Sequence, residues 1–156
     1  MKKVLFSIAA LVFASYNVSA QSSEVFQNTA GKYVDADGEL LSGNLTLTYA
    51  NGKVESTYDI IDGNKDGKLT VYYMSGVTKE LGSFNNGVKN GEWKAFDEKG
   101  NVQSVAFYKN DAKHGTWKVW DANGVLRSES HYKNGVKTGI WKTFDASGLL
   151  LESVTY

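Results

Sequence analysis

The chain has 156 residues, including 16 glycines, nine tyrosines and four tryptophans, but no proline or cysteine. This length allows one domain or one short array of repeats, and the composition favours an all-β protein with many turns. The formal net charge is zero, and 15 basic against 17 acidic residues remain once Lys2 and Lys3 are set aside with a leader. A nucleic-acid-binding protein would show a basic excess or a basic stripe, so that function class is excluded.

The N-terminal segment has three features of a secretion signal, in the expected order. Lys2 and Lys3 precede an apolar run at residues 4–14, and small residues stand at Val18, Ser19 and Ala20. The run is too short to cross a bilayer, which takes about 20 apolar residues. We therefore predict a signal peptide at residues 1–20 and a secreted or periplasmic protein. Because the chain has no cysteine, neither disulfide bonds nor a lipid-modified cysteine are expected.

The strongest signal in the sequence is an internal repeat of 24 residues. One column of glycines at this spacing comprises Gly43, Gly67, Gly91, Gly115 and Gly139, and a second comprises Gly52, Gly76, Gly100, Gly124 and Gly148. The predicted units are residues 43–66, 67–90, 91–114, 115–138 and 139–156, after an N-terminal capping segment at residues 21–42. Terminal repeats tend to be atypical, which agrees with the looser sequences of the first two units.

Three apolar columns follow the same 24-residue period. They are Leu45, Leu69, Trp93, Trp117 and Trp141; then Thr48, Tyr72, Phe96, Trp120 and Phe144; then Ile60, Phe84, Tyr108, Tyr132 and Tyr156. Each unit also has the pattern of a β-hairpin, with a first strand, a four-residue turn of the Asp-x-x-Gly type, a second strand and an Asn-Gly-like turn. One repeat is therefore predicted to be two antiparallel strands and two turns.

Alternation along the second strand predicts one mostly buried face and one mostly solvated face. A column of small residues on the buried face, Gly82, Ala106 and Ser130, lies near the tryptophan column in this register. We interpret the small residues as room for the neighbouring tryptophan ring to lie across the sheet.

The frame Gly-x-Trp-Lys-x-(Phe/Trp)-Asp-x-x-Gly, followed by Tyr-Lys-Asn-Gly-x-Lys-x-Gly, resembles the MORN repeat. The resemblance is to the variant of secreted and antitoxin-like bacterial proteins, and it covers roughly residues 43 to 156. It implies an elongated, single-layer antiparallel sheet of tandem hairpins that serves in protein interaction or dimerisation, with lipid binding in some members. The first two units depart from the pattern, with Leu45 and Leu69 at the tryptophan position. The family offers no catalytic residues to transfer.

Residues 62–67, Asp-Gly-Asn-Lys-Asp-Gly, spell the first half of a calcium-binding loop. The twelfth position of such a loop requires a bidentate glutamate and is Tyr73 here, and no flanking helices are expected. The equivalent loops of later repeats lack these carboxylates. We therefore predict a hairpin turn, with a weak incidental calcium site as the less favoured alternative.

Other chemical signals in the sequence are weak. His114 and His131 are expected in a turn and on the polar strand face, without the spacing of a metal site. Two lysine columns, Lys94/Lys118/Lys142 and Lys89/Lys113/Lys137, are interpreted as a solvated edge that discourages aggregation, rather than as a site for phosphate or lipid headgroups. No nucleophile elbow exists, so neither an enzyme nor a bound cofactor is expected.

The second aromatic column leaves two alternatives open. If the first strand alternates regularly, its rings emerge on the face opposite the tryptophans, whereas a bulge near the turn would return them to the same core. We predict that a protein partner binds an aromatic ladder whose candidate residues are Trp93, Phe96, Trp117, Trp120, Trp141, Phe144, Tyr108 and Tyr132. The alternatives are an antitoxin or immunity-type partner protein and an envelope module that binds lipid or glycan. Self-association is a further expectation, because an open sheet buries little surface per residue.

Overall fold

The computed structural model describes residues 25–156 and the backbone of residues 16–18. The predicted signal peptide otherwise lies outside the described residues, as do residues 21–24 of the predicted capping segment. The strands are β1 (Tyr16–Val18), β2 (Phe26–Gln27), β3 (Tyr33–Val34), β4 (Gly43–Thr48), β5 (Val54–Ile61), β6 (Asn64–Tyr72), β7 (Thr78–Asn85), β8 (Val88–Lys89), β9 (Gly91–Phe96), β10 (Val102–Lys109), β11 (Ala112–Lys113), β12 (Gly115–Trp120), β13 (Leu126–Lys133), β14 (Val136–Phe144) and β15 (Leu150–Thr155). The described part of the chain contains no helix, and hence none that could span a membrane.

Thirteen of the described strands form one open antiparallel sheet, in which the long strands from β4 onward follow one another in chain order. Its order is β1-β4-β5-β6-β7-β9-β10-β12-β13-β14-β15, with the short strands β8 and β11 paired to β7 and β10. A separate two-stranded sheet joins β2 to β3. The predicted all-β fold of tandem antiparallel hairpins is confirmed.

Two-residue turns close one end of the successive hairpins. Asp62 and Gly63 link the paired residues Ile61 and Asn64, and both have positive φ, 48° and 71°. Positive φ at both central residues defines the turn type whose twist suits a hairpin. The same turn recurs at residues 86–87, 110–111 and 134–135, so the predicted hairpin turn at Asp62 is confirmed.

The turns are also hydrogen-bonded from one repeat to the next. The amide of Gly87 donates to the carbonyl of Lys65 at 2.7 Å, that of Asp111 to Lys89 at 2.9 Å, and that of Gly135 to Lys113 at 2.7 Å. A backbone contact of this kind fixes the position of each lysine relative to the following hairpin. The stacking of repeats is therefore set by main-chain geometry as well as by side chains.

At the other end of the hairpins, an aspartate organises each turn of the later repeats. Asp97 Oδ1 accepts hydrogen bonds from the amides of Lys99 and Asn101, at 2.9 and 2.8 Å. Asp121 and Asp145 do the same in the next two repeats. A β-bulge follows each of these turns: Val119 pairs with Ser128 and Trp120 with Leu126, which leaves Arg127 as the extra residue on the second strand.

Two clusters of buried residues form the core, and both lie toward the N-terminal side of the sheet. The first joins Val25 to Leu45 and Ile60, so residues before the repeats cover the first hairpin. The second joins Leu69, Trp93 and Ala106. In contrast, every residue of the last strand β15 is exposed. Burial therefore decreases along the array.

Candidate functional site

Seven aromatic rings form a continuous chain of contacts across the sheet. We call this chain the ring ladder, and its members are Phe84, Trp93, Tyr108, Trp117, Tyr132, Trp141 and Tyr156. Successive ring centroids lie between 4.9 and 5.9 Å apart, with tilted or edge-to-face geometry. Contacts of this geometry stabilise a fold beyond the burial of ring area. The ladder thus ties each repeat to the next.

The three tryptophans of the ladder differ in their packing and in their hydrogen bonds. The indole of Trp93 lies over Gly82, where a Cβ would come within 2.5 Å of the ring, so the predicted role of this small residue is confirmed. Trp117 and Trp141 donate from Nε1 to the carbonyls of Phe107 and His131, each at 3.0 Å. Trp93 is only 4% exposed, and its Nε1 has no partner among the described residues.

A lysine ammonium covers each pair of ladder rings. Lys89 Nζ lies 3.9 Å from the ring centroid of Trp93 and 5.2 Å from that of Tyr108. Lys113 and Lys137 hold the equivalent positions over Trp117/Tyr132 and Trp141/Tyr156. Lys113 and Lys137 are exposed, which agrees with the solvated position predicted for this column, and the positive charge is also attracted to the ring faces. The predicted role of this column against aggregation stays a prediction. Lys65 begins the same column over Tyr58, and burial followed by the charge of Lys89 lowers its pKa.

Beside the ladder runs a strip of mostly small residues, which we call the channel. Its members pair in sequence across seven neighbouring strands, and they are Glu80, Ala95, Ser104, Val119, Ser128, Thr143 and Glu152. Residues two apart on a strand point to the same side of the sheet, as Trp93 and Ala95 do. The ring ladder and the channel therefore lie on the same side of the sheet, which we call the ladder face. A groove of about 230 Å³ lies between Trp93 and Trp117, and one of about 410 Å³ lies beside Trp141.

The structure divides the predicted site residues into two groups. Trp93, Tyr108, Trp117, Tyr132 and Trp141 belong to the ring ladder. The other three, Phe96, Trp120 and Phe144, are half-buried at the strand ends beside the bulges and make no ring contact with the ladder.

The predicted bulge is present, but it does not bring the second aromatic column into the ladder. Its extra residue, such as Arg127, lies on the second strand of the hairpin, whereas the aromatic column lies at the end of the first. Trp120 instead lines a separate groove with Val102 and the turn at residues 122–124.

Hydrogen bonds perturb the ionisable groups of the turns and the ladder. The side-chain amide of Asn101 and then its backbone amide hold the pKa of Asp97 below its usual value. The pKa of Asp121 and Asp145 is lowered in the same direction, first by the amide of Val125 and by the Ser147 hydroxyl, respectively. Burial and then the charge of Glu80 raise the pKa of Tyr108, so its hydroxyl stays protonated at neutral pH.

The histidines and carboxylates of the described residues form no cluster of three or more that could hold a metal ion. His114 Nδ1 lies 3.2 Å from Asn134 Oδ1, and His131 contacts Thr116 and Glu129. These imidazoles therefore take part in contacts between strands and turns. Weak calcium binding at residues 62–67 stays an open prediction.

Three features of the site were missed from the sequence. Phe84 and Tyr156 extend the ladder at its two ends, and their membership of the third aromatic column was a usable signal. The lysine column was visible, but its approach to the rings was not. The channel was only partly visible: alternation places Glu80, Ser104, Ser128 and Glu152 on the mostly buried face, but only strand pairing brings the column of Ala95, Val119 and Thr143 between them.

The comparison with known families adds to this geometry. The model of the MORN repeat variant matches residues 89–110 and 113–134, two copies that begin 24 residues apart (113 − 89) and two residues before Gly91 and Gly115. No curated protein matches the chain significantly. MORN repeats are commonly modules that bind proteins or membranes. The chain therefore carries tandem MORN repeats of the variant type at residues 89–134.

Proposed function

We propose that this chain is a non-enzymatic, exported repeat protein that binds a protein partner on its ladder face. The observation that carries the proposal is the pair of grooves beside Trp117 and Trp141, where aromatic side chains line a surface open to solvent. Tryptophan and tyrosine are enriched at protein interfaces, because each supplies a large contact area at low conformational cost.

The side chains of the ladder become more exposed from the first repeats to the last, which supports the ladder face as the binding surface. Trp93 is 4% exposed, Trp117 and Trp141 are half-buried, and Tyr156 is 52% exposed. The lysines already cover one side of the ladder rings, which leaves the channel side for a partner. We therefore place the contact surface on the channel and the ladder edges of the last three repeats, rather than on Phe96, Trp120 and Phe144.

A matched pair of variants tests this surface. Val119 is 43% exposed on the ladder face, and Leu81 is 38% exposed on the opposite face, because it neighbours the channel residue Glu80. We expect Val119→Gln to reduce the capture of a stoichiometric protein from exported fractions of the source organism, and Leu81→Gln to leave it unchanged. Equal capture by both variants would reject the ladder face.

The same capture experiment separates the alternatives. Retention on liposomes or glycan resins with no protein captured would replace the proposal with a lipid- or glycan-binding module. Capture of a toxic protein, with rescue of growth when the chain is co-expressed, would identify an antitoxin or immunity role within the proposed class.

Export has its own test. Mass spectrometry of the chain expressed in a bacterial host should give a secreted or periplasmic product that begins at Gln21. Ala20→Arg should leave the leader attached, because the cleavage site requires small residues. A cytoplasmic product that retains residues 1–20 in both proteins would contradict export.

A further inference from the structure

The channel has polar groups that the fold itself does not use. The side chains of Ser104 and Ser128 are half-buried on the ladder face, and no hydrogen bond to either hydroxyl is formed among the described residues. The indole Nε1 of Trp93 also has no partner in the described part of the chain, but it is buried and therefore out of reach of a ligand in the groove. The two serine hydroxyls are open to solvent and free to donate to acceptors of a bound ligand in place of water.

The spacing of the tryptophans defines the length scale of such a ligand. Trp93, Trp117 and Trp141 lie on β9, β12 and β14, each two strands from the next. Neighbouring strands are about 4.8 Å apart, so these side chains rise from the sheet about every 9.6 Å. A polyproline II helix advances about 9.3 Å per turn of three residues, which matches this period closely. Its backbone carbonyls have no internal hydrogen bonds and therefore need donors from the surface on which they lie.

The charges at the ends of the channel fit a basic segment. Glu80 and Glu152 are the first and last members of the channel and its two carboxylates, six strand spacings or about 29 Å apart. Beyond Glu80, the paired row continues with the uncharged residues Val71 and Ser56. A polyproline II segment of nine residues has about this length, at 3.1 Å per residue. Lys118 pairs with Glu129 at 3.2 Å and belongs to the opposite face of the sheet, and Lys113 lies over the ring of Trp117 on the ladder face.

We propose that the channel binds a proline-rich segment in the polyproline II conformation, with every third residue seated between successive tryptophans and a basic residue near each end. The segment crosses the strands at right angles and belongs to the protein partner of the proposed function, on which this inference rests. Aromatic-lined grooves suit such segments, because the preformed helix loses little conformational entropy on binding. The Ser104 and Ser128 hydroxyls are the donors available to its carbonyls.

A pair of synthetic peptides tests the conformation of the segment. The probe is nonaproline with one lysine at each end and blocked termini, and the control replaces the prolines by alternating glycine and serine. Titration followed by intrinsic tryptophan fluorescence should saturate with the probe at a concentration about tenfold lower than with the control. Equal affinity for the two peptides, or no binding of the probe at millimolar concentration, would overturn the inference.

Two sets of variants test the location. The double variant Glu80→Gln and Glu152→Gln should weaken binding of the lysine-flanked peptide several-fold at low salt, and should not weaken binding of neutral nonaproline. Ser128→Tyr should obstruct the channel, whereas the same change at Ser153, on the opposite face of β15, should have no effect. If Ser128→Tyr fails to fold by circular dichroism, the charge variant still decides the question.

The two proposals fail in different ways. If Val119→Gln abolishes capture of a protein while nonaproline does not bind, the ladder face is the interface and only the polyproline II inference falls. If nonaproline binds the channel while capture does not depend on Val119, the peptide site stands and the proposed interface is wrong.

Discussion

The indole of Trp93 lies directly against the backbone of Gly82, too close to leave room for a side chain at position 82. A Cβ there would lie 2.5 Å from Cδ2, 2.6 Å from Cε2 and 2.7 Å from Cε3 of the ring. The ring is pinned on its other flanks by Phe84 and Tyr108, at centroid distances of 5.3 and 5.9 Å. The most buried tryptophan of the described repeats is therefore held by a residue with no side chain.

Gly82→Ala is expected to destabilise the protein. Because the Trp93 ring cannot retreat without losing its contacts, the added methyl should lower the free energy of unfolding by about 1–3 kcal/mol, the usual cost of overpacking a core. Urea unfolding measures the change. Ser130→Ala, in the same column, is the control and should shift stability by no more than about 0.5 kcal/mol. An unchanged midpoint for Gly82→Ala would show that the ring is not fixed there.

Removing the charge above a ladder ring should also destabilise the fold. Lys89→Met keeps the length of the side chain but deletes the ammonium 3.9 Å from the Trp93 centroid. The expected loss is about 0.5–2 kcal/mol, the range of a partly desolvated cation–π contact. Lys109→Met is the matched control, because this exposed lysine has no ring contact in the described residues. Thermal unfolding of both variants distinguishes a ring contact from a general effect of charge.

The hairpin turn at Asn110 and Asp111 allows two opposing effects to be compared. Asp111 has a φ of 63°, where the equivalent turns have glycine, yet its carboxylate accepts a hydrogen bond from the Lys89 amide at 2.7 Å. Asp111→Gly should be close to neutral, because relief of backbone strain offsets the lost hydrogen bond of about 0.5–1.5 kcal/mol. Asp111→Ala loses the bond, keeps the strained backbone and should cost about 1–3 kcal/mol in urea unfolding. The reverse order of the two variants would contradict this account.

Stability should fall in acid because of the turn aspartates. The pKa of Asp97, Asp121 and Asp145 is lower in the folded chain than the ordinary value of 3.8, so the unfolded state binds protons first as the pH falls. Their contribution is complete above that ordinary value and is lost as the pH drops through the folded values.

Melting temperatures measured between pH 7 and pH 2 test this dependence. The triple variant with asparagine at the three positions should show a flatter profile below about pH 4 than the parent. Glu98→Gln is the control, since no hydrogen bond to this turn carboxylate is formed among the described residues. A triple variant that loses stability in acid as steeply as the parent would refute the role of these turns.

The candidate site was partly predictable from the sequence, as two residues show. Trp117 was found because it repeats every 24 residues together with a tyrosine column, and its ring lies between the tyrosines Tyr108 and Tyr132 of that column. Alternation placed Ser104 on the mostly buried face, but its position in a groove was not found, because nothing in a serine indicates whether it faces a groove. Its place in the channel depends on pairing with Val119 of the next repeat, which the turn hydrogen bonds and the bulges set together.

The sequence by itself determined the period, the hairpins and their turns, because local propensity and glycine geometry act over a few residues and repeat without change. Only the tertiary structure decided where Lys89 points, how deeply Trp93 is buried compared with Trp141, and which small residues line up beside them. These properties depend on the distance and twist between one repeat and the next. That spacing comes from long-range strand pairing, which no single repeat encodes.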